Sequence, residues 1–169
     1  LEKEHVGNRP YEAVRDDVAA LTLPVVAQPS KTNYAVFSAV KESVREASPV
    51  GNLLMFKNAT AIEGFRRCME KDGVAMVKWM KWTLENVPKG GQTELSLAAK
   101  LEEFRAEQEH FMGISFESIM GYAEHGAIIH YEPTPESDVP VKAEGLLLID
   151  SGGQYLDGTT DIARTIPMG

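Results

Sequence analysis

The chain has a single cysteine, Cys68, in 169 residues. An intrachain disulfide is therefore excluded, and a reducing, cytoplasmic setting is the simplest expectation. No apolar run approaches the ~18 residues that a membrane-spanning helix needs. Positive charge is scarce: 17 Lys and Arg against 25 Asp and Glu leave a net charge of −8. Nucleic acid is an unsuitable partner for such a surface, because phosphate binding wants a basic face. No internal repeat and no signal-peptide pattern are visible. The chain begins at Leu1 and stops at Met168-Gly169, directly after a strand-like stretch, and is expected to be a piece of a longer polypeptide.

What is present is ordinary globular composition, 43% hydrophobic and 25% charged, with one unusual segment near its end. Leu146 to Thr165 reads LLLIDSGGQYLDGTTDIART. A short apolar run followed by glycines suits a buried strand, and Asp157-Gly158 is a hairpin signal. Two antiparallel strands result, one carrying Asp150 and the other Asp161. A carboxylate at the end of an apolar strand needs a donor, a cation or a metal. Two together repel unless positive charge lies between them. Arg164 is one local candidate and a divalent metal the other, since hard cations prefer carboxylate oxygens. The competing reading is structural: Asp157 shapes a turn, while Asp150 and Asp161 cap strand ends.

Register decides between these. A tight turn at Asp157-Gly158 sets Leu156 opposite Thr159. Asp161 then lies four residues from the position opposite Asp150, ~13 Å away at ~3.3 Å per residue. A bulge at Gly152-Gly153 would instead bring the two face to face at ~5 Å. A Cα separation above ~10 Å would weigh heavily against a shared metal pair, which needs bridging carboxylates.

Upstream, residues 1–9 are polar. The spacing of Val14, Val18 and Leu21 predicts a helix over Tyr11–Leu21. Leu23–Ala27 suits a strand, Pro29–Lys31 a turn, and Asn33–Val40 a short helix capped by Asn33. Residues 41–46 are ambiguous, and Ser48-Pro49 with Gly51-Asn52 reads as a loop. Asn58 or Thr60 opens a long helix ending at Val87-Pro88, in which the Met and Trp residues are packing groups and Cys68 a plain helix thiol. Thr93 starts a second helix. Leu97 and Leu101 belong to its buried face, and Glu102, Glu103, Arg105 and Glu107 to its wet one. Ser115–Tyr122 and Gly126–Tyr131 both read as strands. Helices followed by strands suit an α+β layer.

Several segments resemble, in order, the Xaa-Pro aminopeptidases (aminopeptidase P) of the pita-bread metallopeptidases, relatives of prolidase and creatinase. They are LLLIDSGGQYLDGTTDIART, HGAIIHY at 125–131, KNATAIEGFRRCMEKDGVAMVKWMKW at 57–82 and SFESIMGY at 115–122. One departure is Ala163, where that family usually has Thr. The resemblance implies the first half of a pita-bread catalytic domain over 53–169, helices packed on an antiparallel sheet. It also implies an α/β middle-domain remnant over 1–52.

The resemblance implies two divalent metals, with Mn²⁺ preferred over Zn²⁺ or Co²⁺, held by two Asp, one His and two Glu. Asp150 and Asp161 match the two Asp; the other three ligands would lie beyond Gly169. His130 matches a family histidine beside the substrate and becomes the candidate catalytic residue. Arg164 is expected to support a nearby carboxylate, and His125 is read as structural. The implied substrate is a peptide with proline in second position. The isolated piece is expected to bind no metal tightly, to be inactive, and to form a homodimer or otherwise self-associate through uncovered strand edges. A creatinase-like enzyme or a non-catalytic binding module of the same fold is the alternative.

Overall fold

A computed structural model describes residues 7–45 and 47–169. Residues 1–6 of the polar N-terminal stretch, and Glu46 of the ambiguous segment, lie outside the described residues. The chain divides after Lys57 into two units.

In the first unit a 3-10 turn, Tyr11–Ala13, leads into α1, Val14–Ala19. β1, Val25–Ala27, pairs in parallel with β2, Ser43–Arg45, which resolves the ambiguous segment as a strand. α2, Tyr34–Phe37, is capped by Asn33, whose side chain accepts from the Ala35 N–H at 2.9 Å. The residues read as a loop form α3, Pro49–Met55. Proline is tolerated there because it sits in the first turn, where no intrahelical donor is required. Leu53 to Lys57, expected with the second region, group with the first. Ala27 is the only buried hydrophobic residue in this unit among the described residues.

The second unit begins with α4, Ala59–Asn86, capped by Asn58 and continuous through Gly73. Cys68, Asp72, Ala75, Met76, Trp79 and Thr83 form its buried stripe at helical spacing. A 3-10 turn at Val87–Lys89 and Gly90 in the left-handed region end it. α5, Glu94–Ala106, opens on a reciprocal cap: the Ser96 N–H donates to Thr93 Oγ1, and the Thr93 N–H donates to Ser96 Oγ. Three antiparallel strands follow in the order β3 (Phe111–Tyr122), β4 (Leu146–Tyr155) and β5 (Ile162–Pro167). The α+β expectation holds for this unit.

The helices cover one face of the sheet. Leu147 and Ile149 of β4 point into a core with Met76, Trp79, Leu97 and Met120. Fully burying such a side chain contributes ~1.5–3 kcal/mol. Trp79 also donates its indole N–H to the Leu97 carbonyl at 2.8 Å, tying α4 to α5. The other sheet face carries Leu146, Leu148 and Asp150, which no helix covers to the same depth. No helix among the described residues is long and apolar enough to cross a membrane.

One predicted strand is absent. Residues 123–127 form a 3-10 turn, and 128–130 bend onward with His130 at φ 58°. The segment folds back against the end of β3 so tightly that a Cβ on Gly121 would meet the Gly126 Cα at 2.8 Å. Only a residue without a side chain at 121 leaves room for the backbone to return at 126.

Candidate metal centre

The hairpin exists, but its turn lies one residue earlier than Asp157-Gly158. Tyr155 and Gly158 exchange both backbone hydrogen bonds, at 2.8 and 3.2 Å, so Leu156 and Asp157 occupy the tip. Neither has positive φ. The shift has a tertiary cause. The Asp157 carboxylate is gripped by Lys71 and Arg67 of α4 and by His110, which pins the tip to the helix. Hydrogen bonding to Lys71, then to His110 and Arg67, lowers the Asp157 pKa to about 2.

The shifted turn sets the register. Asp150 faces Ala163, and Thr160 pairs with Gly153. Continuing that register, Asp161 faces Gly152 and lies two residues from the position opposite Asp150. The two carboxylates share a sheet face as diagonal neighbours, ~7–8 Å apart between Cα atoms. This lies between the two spacings read from the sequence and inside the ~10 Å limit set for a metal pair. No bulge interrupts β4 against β5.

The electrostatics show how close the groups are. Asp150 Oδ1 is buried and has no hydrogen-bond partner. Burial raises the Asp150 pKa above the usual carboxylate range. The nearby carboxyl of Asp161 raises it further, while nearby His130 works against both. A buried carboxylate oxygen without a donor is costly. A dication between two carboxylates would reverse both penalties, so the donor set fits a hard divalent metal. Among the described residues no group of three or more His, Cys, Asp or Glu is arranged to hold a metal ion. Asp150 and Asp161 are therefore at most a partial ligand set.

Arg164 does not meet its expectation. It pairs with Ile149 in the register, which puts it on the opposite face from Asp150. Its guanidinium donates to the Ala163 carbonyl at 2.6 Å and makes no carboxylate pair among the described residues. Sheet alternation explains the miss: sequence neighbours in a strand point to opposite sides.

Two buried polar networks escaped the sequence reading. Arg105, expected on the wet face of α5, is fully buried and pairs bidentately with the fully buried Asp72, at 2.7 and 3.2 Å. Its Nη2 also donates to Ser151 Oγ at 3.1 Å. Asp72 accepts further from Tyr155 at 3.0 Å and from Thr160 Oγ1 at 2.7 Å. The only local signal was an Asp on the buried stripe of α4. In the second network, fully buried Glu94 accepts from the Tyr122 N–H at 2.7 Å and from the Tyr131 hydroxyl at 2.8 Å. It also meets His125 Nδ1 at 3.0 Å. Glu94 thus closes the 122–131 loop that carries His130, and His125 is a structural partner in it. A Glu at the first helical position was the available clue.

The family model "Metallopeptidase family M24" matches residues 63–169, more than half of the chain. The chain belongs to metallopeptidase family M24. Within that family it is 39% identical over 174 residues to a probable Xaa-Pro aminopeptidase P of Laccaria bicolor, covering 96% of this chain and 27% of the relative. It is 44% identical over 119 residues to a namesake in Coprinopsis cinerea, covering 70% of this chain and 19% of that one. The solved X-prolyl aminopeptidase of Caenorhabditis elegans, described as a cytosolic enzyme with a di-nuclear active site, superposes with a TM-score of 0.85. Identity there is 27%, over 99% of this chain and 29% of that enzyme. The M24 chain thus spans well under a third of the length of these relatives.

Proposed function

We propose that this M24 segment contributes two ligands, Asp150 and Asp161, to a two-metal centre. The intact protein would then be an Xaa-Pro aminopeptidase, removing the N-terminal residue from peptides with proline second. The observation that carries the reading is the Asp150 carboxylate: an unpartnered buried oxygen beside a second carboxylate on the sheet face away from α4 and α5. The names of its relatives supply the substrate class. Two divalent cations, Mn²⁺ in preference to Zn²⁺ or Co²⁺, would supply carbonyl polarisation and an activated water. Asp150 and Asp161 hold and orient them. His130, near Asp150, hydrogen-bonds the substrate around the scissile bond. The remaining ligands, one His and two Glu, come from elsewhere in the longer polypeptide. Arg164, on the other sheet face from Asp150, would support only a carboxylate supplied from elsewhere in the polypeptide.

On this reading residues 58–169 are the first half of the catalytic domain and residues 1–57, which include the stretch 53–57 first assigned to it, belong to a preceding α/β domain. The segment alone is inactive, because two carboxylates fall short of the about six ligands that hard dications prefer. It forms a homodimer or otherwise self-associates through the exposed Leu146, Ile128 and Ile129 and the free edges of β3 and β5, while the intact enzyme is cytoplasmic. The test is hydrolysis of Xaa-Pro peptides by the full-length protein with Mn²⁺. Activity that is lost with Asp150→Asn or Asp161→Asn supports the assignment. Turnover unaffected by either substitution overturns it.

A further inference from the structure

We propose that the buried Asp72–Arg105 pair is a positioning device that fixes the facing and the separation of Asp150 and Asp161. The inference rests on the reading of those two carboxylates as metal ligands.

Both charges are fully buried. Stability alone is a weak reason for such a pair, since well-packed apolar residues of similar volume commonly do as well. What an ion pair adds is direction. Arg105 reaches Ser151, the residue after Asp150, and Asp72 reaches Thr160, the residue before Asp161. Ser151 and Thr160 are both buried on the helix-packed face. Because a strand alternates its faces, holding their hydroxyls inward forces Asp150 and Asp161 outward on the same side. A slip by one residue would send one carboxylate to the wrong face.

Thr160 is held with unusual completeness. Its N–H donates to the Gly153 carbonyl at 2.9 Å, and its hydroxyl oxygen accepts from the Gly153 N–H at 2.8 Å. Its carbonyl accepts from Ser115 Oγ at 3.0 Å, and its hydroxyl donates to Asp72 at 2.7 Å. The Asp72 contact is the one that leaves the sheet, and it references the hairpin to α4 and α5. One ion pair thereby sets both carboxylates against a common frame. Residues supporting metal ligands from behind commonly change metal affinity by ~10–100-fold when altered.

The experiment is Mn²⁺ titration calorimetry on the full-length protein, with thermal unfolding of the metal-free form as a folding control. Thr160→Val keeps the shape and removes the hydroxyl; Thr160→Ser keeps the hydroxyl. Ser151→Ala removes a single bond and is the milder second variant. Asp150→Asn reports on the metal reading itself. Thr160→Val is expected to weaken Mn²⁺ binding ~10-fold or more, Ser151→Ala by a smaller factor, and Thr160→Ser by little. A purely structural role would lower the unfolding temperature and leave affinity alone. If Thr160→Val and Ser151→Ala bind Mn²⁺ as the parent does while Asp150→Asn does not, the positioning role is wrong and the metal reading stands. If Asp150→Asn also binds as the parent does, the metal reading fails and the positioning role falls with it.

Discussion

Gly152 is where strand packing and carboxylate geometry meet, and Gly152→Ala is the sharpest perturbation available. A Cβ there would lie 1.9 Å from the Thr160 carbonyl oxygen and 2.3 Å from Ser115 Oγ. Carbon and oxygen ordinarily stay beyond ~3.3 Å even in close Cα–H···O contacts. Thr160 would have to retreat by more than ~1 Å, against hydrogen bonds to Gly153, Ser115 and Asp72. Overpacking costs ~1–3 kcal/mol, and each hydrogen bond lost adds ~1 kcal/mol. With two bonds broken the loss is about 3–5 kcal/mol. At ~2–4 °C per kcal/mol for a domain of about 150–250 residues, the unfolding temperature should fall by at least ~6 °C. Asp161 moves with Thr160, and a misplacement of ~1 Å can cost ~100-fold in rate. The assay pairs thermal unfolding with Mn²⁺ titration of the full-length protein. Gly73→Ala is the control, because a Cβ at Gly73 meets nothing within 4 Å. It should stabilise α4 by up to ~1 kcal/mol and leave affinity alone. A Gly152→Ala protein with parental stability and metal affinity would refute the geometric reasoning.

Three further outcomes are expected. Asp150→Asn in the metal-free segment should hold or raise the unfolding temperature at neutral pH, because it removes a charge whose Oδ1 has no partner; a clear fall would contradict this. Arg105→Met should cost ~3–5 kcal/mol by leaving the Asp72 charge buried without its cation, and a loss below ~1 kcal/mol by denaturant titration would count against the buried pair. Asp157, with its pKa lowered to about 2, contributes stability that is full above its unfolded pKa of ~3.9 and is lost as pH falls towards 2. Asp157→Asn should therefore flatten the acid limb of the stability curve over that window, and parallel curves for the two proteins would refute it.

Much of this was legible in the residues because its causes are local. The Asn58 and Thr93 caps, the apolar stripes of α4 and α5, and the hairpin carrying Asp150 and Asp161 all follow from spacing and turn chemistry. The errors have distant causes. The hairpin turn moved by one residue because Lys71, Arg67 and His110 claim Asp157. The β-branched run at 126–131 became a turn because Gly126 packs on Gly121 and Glu94 ties Tyr122 to Tyr131. Arg105 had no sequence neighbour announcing its partner, since Asp72 lies on another helix. Arg164 was paired by proximity in sequence, which in a strand places neighbours on opposite faces.

The most direct measurement is anomalous diffraction from Mn²⁺-loaded crystals of the full-length protein. Two peaks a few ångström apart, with oxygens of both Asp150 and Asp161 within ~2.0–2.6 Å of metal, are the expected result. Metal bound elsewhere, with these two carboxylates bare on the sheet, would contradict the assignment at its root.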